Sequence, residues 1–292
     1  MAAPPLALRR SHQCEGVPVT RTEIPKEPTV EALAAVWASL RKLFDELSDE
    51  DWSTPTVLPG WDVAAVAAHI IGTEAMLMGI DAPGVEIDRT ARPHVHNDMG
   101  ELNEQWIVEM ADSTRTELRE RFERTVTTRL EALAAMDGEA WKAETFTPVG
   151  RETYGRFMRL RVFDCWIHEQ DIRDAVGRPG HEDGPAVECS VDEMASAMGY
   201  VVGKLAQAPA GARVTYALTA PASREIHVEV GERAAVVDGL NAPATVTLTM
   251  PVGTFVRLGG GRIPPETARA QVSVEGDQVL GGRLIDNGAY TI

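Results

Sequence analysis

Apolar residues recur at steps of three and four across residues 29–47: Leu33, Val36, Trp37, Leu40, Phe44 and Leu47. That spacing is the buried stripe of an amphipathic helix. The segment STPTVLPGWD follows, rich in turn formers, and ends on Asp62, which can cap a helix through its side chain. The next run, VAAVAAHIIGTEAMLMG, is apolar nearly all round, so it predicts a helix at the centre of a bundle. After the looser stretch DAPGVEIDRTARPHVHND, a third helical region is expected around residues 103–110. Thr114 and Glu117 have capping-box spacing and open a long helix bearing Leu118, Phe122, Val126, Leu130 and Leu133. A fourth long helix is expected over 152–176, ending at GRPG. Met194, Met198, Val201 and Leu205 predict another.

Beyond Pro209 the period changes from 3.6 to two. RVTYALT, EIHVEV and ATVTLTM each alternate apolar and polar residues, with turn formers between them, and read as strands. Short helices near 252–258 and 277–285 flank a further strand, VSVE. The expected class is α+β and multidomain: a polar, Pro-containing extension over 1–26, a helical bundle over 27–208 and a smaller α+β unit over 209–292.

Composition narrows the partners. Lys plus Arg number 28 and Asp plus Glu number 44 in 292 residues, a formal net charge of −16. So acidic a surface repels phosphate backbones and anionic lipid, so neither nucleic acid nor membrane is an expected partner. No apolar run reaches the roughly 18–20 residues of a spanning helix. The order of features around Arg9 and Arg10 is wrong for a secretory signal. Cys14, Cys165 and Cys189 are odd in number and widely spaced, which is no disulfide framework; a reducing cytoplasm is the expected compartment. Oligomeric state is not readable.

The chemistry concentrates in FDCWIHEQDIRDAVG. Asp164 and His168 are four apart, which places both on one helix face a turn from each other, a spacing from which a carboxylate and an imidazole can grip one ion. A third ligand would come from another element, and His69, in the middle of the very apolar second helix, is the best placed. The plainer alternative is a satisfied core histidine beside a surface Asp–His pair. Two histidines and a carboxylate form a familiar zinc set with an open fourth position. Non-haem iron uses the same trio, so ligand types do not name the metal. Asp171, three after His168, can orient its imidazole or pair with Arg173 in a salt-bridged helix end. Cys165 lies off the ligand face and reads as a small core residue. His94 and His96 read as substrate-facing or exposed, His227 as lying at the sheet surface, and His12 and His181 as exposed.

GWDVAAVAAHI is similar to the GW-x-V-x-x-(V/L)-x-x-H-(L/I) signature of the mycothiol-dependent maleylpyruvate isomerase family. RVFDCWIHEQDIRDAVGRP resembles that family's second signature, an acidic residue ahead of a Trp-x-His-Glu-x-Asp-Ile-Arg run, and HVHNDMGELNEQWI resembles its middle segment. The resemblance implies a DinB-like metal-binding helical bundle followed by a sterol-carrier-like α+β domain. It implies zinc, or another divalent metal, on His69, Asp164 and His168, with Asp164 standing where the family typically has Glu. It implies mycothiol as thiol cosubstrate and a small electrophilic substrate, acted on by S-transfer or by thiol-assisted cis–trans isomerisation. A functional Arg in the C-terminal domain falls on Arg262 in LGGGRIPP, with Arg257 as a rival; otherwise the segment is a flexible turn, and it lacks the Lys and Ser/Thr of a P-loop. Other classes are a hydrolase using metal-bound water on the same bundle and a non-enzymatic small-molecule-binding protein with a structural metal.

Overall fold

The computed structural model describes residues 23–291; most of the extension, with Cys14 and His12, lies outside the described residues. Contacts divide the chain into two compact units. Of the described residues, one holds those up to Met158 together with His168–Arg178. The other holds Arg159–Ile167 and the chain from Pro179 on.

The first unit is built on helices α1 (Lys26–Glu46), α2 (Val63–Leu77), α3 (Asp98–Glu109) and α4 (Arg115–Ala135). The caps read from sequence form: the Asp62 carboxylate accepts from the Ala65 N–H, and Thr114 with Glu117 closes a full capping box. On α2, Val63 and Val66–Ile71 are all buried, as a helix with no polar face requires. Its neighbours α3 and α4 pack on it, and α1 packs on α4. Leu33, Val36, Trp37 and Leu40 on α1 are at most 1% exposed. The Phe44 and Phe122 rings meet edge to face with centroids 5.1 Å apart, a favourable geometry for buried aromatics.

The α4 stripe departs from expectation at one point. Leu130 is half-buried and Arg129 is buried instead, its Nε donating to Glu74 of α2 at 2.7 Å. A short helix α5 (Gly138–Lys142) and an antiparallel hairpin, β1 (Glu144–Thr147) and β2 (Gly150–Thr153), were not expected from the pattern. The hairpin takes Glu152 and Thr153 out of the fourth long helix, α6 (Tyr154–Ala175), which Thr153 caps by accepting from the Arg156 N–H.

The second unit carries a five-stranded sheet in the order β5-β4-β3-β6-β7. Its strands are β3 (Arg213–Thr219), β4 (Arg224–Val230), β5 (Ala234–Val237), β6 (Val246–Pro251) and β7 (Ser273–Gly276). Strands β3 and β6 run parallel and the remaining neighbours antiparallel. Tyr216 stands between Ile226 and Leu248 in register, and the alternate residues Val214, Tyr216, Leu218, Ile226, Val228, Val246 and Leu248 are buried. Helices α7 (Pro185–Tyr200), α8 (Val252–Gly259) and α10 (Gln278–Asp286) pack against the sheet, with α9 (Pro265–Arg269) between α8 and β7 in the chain. The period-two reading found four of these strands and missed β5, AAVV, which is too short and too poor in alternation to register. His227 lies on the sheet face opposite the buried Ile226 and Val228, half-buried, with its Nδ1 3.0 Å from the Thr215 hydroxyl, and His181 is half-buried rather than exposed.

Candidate metal centre

His69 comes from the middle of α2, and Asp164 and His168 from consecutive turns of α6. One ligand atom from each lies within 4.8 Å of the others, and this is the one such group among the described residues. The two imidazoles meet edge to face, centroids 4.8 Å apart. Ligands about 2.0–2.2 Å from one tetrahedral zinc stand roughly 3.3–3.6 Å from each other. The trio therefore needs only small side-chain adjustment to close on an ion. Two imidazole nitrogens and a carboxylate oxygen are also the donor chemistry of such a centre, and an apolar helix has little other use for a buried imidazole. The residues fit a divalent metal.

His168 and His69 are both buried. The Nδ1 of His168 lies 3.0 Å from the buried Asp171 carboxylate. A carboxylate only accepts, so Nδ1 carries the proton and Nε2 keeps its lone pair for coordination. Arg173 is engaged elsewhere, donating through Nε to Glu169 at 2.8 Å and through Nη2 to Ser39 at 3.1 Å. At this end of α6 Arg173 therefore pairs with Glu169, while Asp171 faces the His168 ring.

Asp164 differs from expectation. It is no surface residue paired only with His168: its side chain is 34% exposed, and it pairs with the buried Arg161 guanidinium one turn earlier. A carboxylate has two oxygens, so one can accept from Arg161 while the other serves an ion.

Trp61 and Glu104 were missed as site residues. The Trp61 ring lies 5.1 Å from that of His69 and 5.9 Å from that of His168. Its indole N–H donates to Glu104 at 2.7 Å. The sequence signal was the Trp61–Asp62 pair opening α2, eight residues before His69. His94, read as substrate-facing or exposed, instead bonds Glu104 at 2.9 Å, while His96 is exposed.

The two described cysteines sit in surroundings that disfavour a thiolate. Cys165 is fully buried, and burial pushes the Cys189 thiol up to about 12. In the second unit, GGGR is a packed turn. A Cβ on Gly260 would sit 2.5 Å from Ile167 Cδ1, and Gly261 has φ +68. Arg262 Nη1 donates to the Gly260 carbonyl at 2.6 Å, whereas Arg257 pairs with the Glu182 carboxylate at 3.0 Å.

Two protein-family models match the chain. The Mycothiol maleylpyruvate isomerase N-terminal domain matches residues 33–173, and the MDMPI C-terminal domain matches residues 188–283. Among solved structures, the crystal structure of the mycothiol-dependent maleylpyruvate isomerase superposes with a TM-score of 0.56 at 18% identity, covering 86% of this chain and 93% of that one. A point mutant of that enzyme gives 0.54 at 17%, with the same coverage. At this identity the likeness shows the fold: a helix-rich α+β chain with an N-terminal helical and a C-terminal sheet portion. No curated protein matches the chain.

Proposed function

Because the chain belongs to the mycothiol-dependent maleylpyruvate isomerase family, we propose that it is an enzyme using a low-molecular-weight thiol, mycothiol, on a small electrophilic substrate. In this reading His69, Asp164 and His168 hold the zinc that makes the thiol reactive. The observation that carries it is the convergence of these three side chains from two helices. Zinc bound by three protein ligands keeps an open position and supplies a Lewis acid that holds a coordinated thiol deprotonated at neutral pH.

The chain's own residues do the rest. Asp171 accepts a hydrogen bond from the Nδ1–H of His168, which leaves Nε2 as the nitrogen that would bind the ion. Trp61 covers one side of the imidazole pair. Neither described cysteine competes with the external thiol, since Cys165 is enclosed and Cys189 stays protonated. In an isomerase, thiol addition to a conjugated double bond turns it into a single bond; rotation and elimination then return the thiol and the trans product. In an S-transferase, the adduct is the product.

Arg262 is the proposed counter-ion for an anionic substrate. The helical portion is proposed to be DinB-like and the sheet portion sterol-carrier-like. Among the described residues no helix is long and apolar enough to cross a membrane, and the cytoplasm is the proposed compartment, on an odd number of widely spaced cysteines.

The test is metal analysis of the purified protein beside H168A. About one zinc per chain is expected in the first and little in the second; equal content in both removes the metal reading. Activity that persists without added thiol removes the thiol reading and points to a water-using hydrolase.

A further inference from the structure

Glu104 on α3 anchors a second polar cluster, which the reaction proposed above does not use. The residue is buried, and its two oxygens take three donors. Oε1 receives the Trp61 indole N–H at 2.7 Å and faces His94 Nε2 at 2.9 Å; Oε2 receives Arg92 Nε at 3.1 Å. A carboxylate shut away from water is costly unless it is paired and hydrogen-bonded, and here the pairing gathers three separate stretches of chain. Trp61 opens α2, Arg92 and His94 belong to the segment before α3, and Glu104 belongs to α3 itself. The fit beside Trp61 is close. Gly60 has φ +81, and a Cβ there would stand 2.8 Å from His94 Cε1, so only glycine lets that ring approach.

What Glu104 grips is also what packs on the metal ligands. The Trp61 ring leans on both His69 and His168, tilted 39° and 36° to them. An imidazole's second torsion is broad and roughly two-fold, so two facing histidines hold a shared orientation only when something fixes their rings. Asp171 fixes His168 by a hydrogen bond, whereas the indole bears on both rings at once.

We propose that Glu104 is a positioning residue for the metal centre: it acts through Trp61, whose indole it tethers against His69 and His168 so that both rings are set before the ion arrives. The inference rests on the metal reading above. Outer partners of metal ligands commonly contribute 10- to 100-fold in affinity.

The experiment measures zinc affinity of the full chain by competition with a chromophoric chelator, for wild type, E104A, W61L and the double variant. Melting temperature and the visible spectrum of the cobalt-loaded proteins are recorded alongside. E104A is expected to bind zinc about tenfold more weakly and to shift the cobalt bands, W61L to lose at least as much, and the double variant to lie within about twofold of W61L. That non-additivity is the mark of two residues acting in series. A purely structural Glu104 lowers the melting temperature and leaves zinc affinity and the cobalt bands at wild-type values, which overturns the proposal. Additive losses overturn the route through Trp61. If E104A does not fold, W61F carries the test. An aromatic ring, smaller than the indole, remains but the N–H that Glu104 holds is gone, so affinity still falls several-fold, and a wild-type value overturns the tether. A wild-type chain that takes up no metal overturns the metal reading itself, whereas a wild type that binds zinc beside variants that bind equally well overturns only the tether.

Discussion

Replacing Asp171 tests whether the orientation of one imidazole sets the strength of the metal centre. The carboxylate lies 3.0 Å from His168 Nδ1, three residues along α6, with side chains 9% and 1% exposed. A hydrogen bond to an ionised, buried acceptor is worth about 1.5–3 kcal/mol net. At about 1.4 kcal/mol per tenfold, losing all of it weakens zinc binding roughly 10- to 100-fold. D171N keeps an acceptor, because the amide can turn its carbonyl to the Nδ1 proton, but removes the charge. It forfeits roughly half the interaction and is expected to bind zinc about 3- to 10-fold more weakly at an almost unchanged melting temperature. D171A removes the acceptor altogether. It is expected to approach the hundredfold loss and also to lower stability by about 1–3 kcal/mol, the cost of leaving a buried N–H unsatisfied. Chelator competition at fixed pH reads the affinity, and a thermal melt of the metal-free protein reads the stability. Folded D171N and D171A proteins that both bind zinc within twofold of wild type would refute the reasoning.

Three further outcomes follow from other parts of the fold. Removing Glu74 with E74A leaves the Arg129 guanidinium, 2% exposed, without the carboxylate 2.7 Å away; a loss of about 3–5 kcal/mol is expected in denaturant titration, and an E74L/R129M double variant should recover most of it. The Cys189 thiol, raised by burial to about 12, should resist iodoacetamide at pH 8 in the native protein and react in denaturant, read by peptide mass mapping. Because its folded value exceeds the unfolded one, its contribution to stability is complete below about pH 9 and is lost as pH climbs towards 12. R262A should raise KM for an anionic substrate several-fold at unchanged zinc content, and an unchanged KM would exclude Arg262 from substrate binding.

The boundary between what the sequence disclosed and what it hid follows the range of the forces involved. Helix faces and caps are set within four residues, so α1, α2 and α4, the Asp62 cap and the Thr114–Glu117 box could be read directly, as could the buried alternation of Val214, Tyr216 and Leu218. The proximity of His69, Asp164 and His168, the proposed ligands, was legible for the same reason. A helical repeat sets Asp164 over His168, and an imidazole with no polar neighbours on α2 stands out. The supports of the trio obey no local rule. Glu104 lies among polar residues on a helix whose stripe gives no reason to bury it, and only the arrival of Arg92, His94 and Trp61 makes that burial tolerable. Arg129 takes the buried place next to the one that the stripe assigned to Leu130, and its reason is Glu74, 55 residues away. Ligands can thus be specified by spacing along single helices, whereas the side chains that hold them still are specified by pairings between elements, each costly to break and silent in periodicity. A substitution that preserves every helical pattern, such as E104A, should therefore look harmless in the sequence and yet loosen the centre that the pattern predicts.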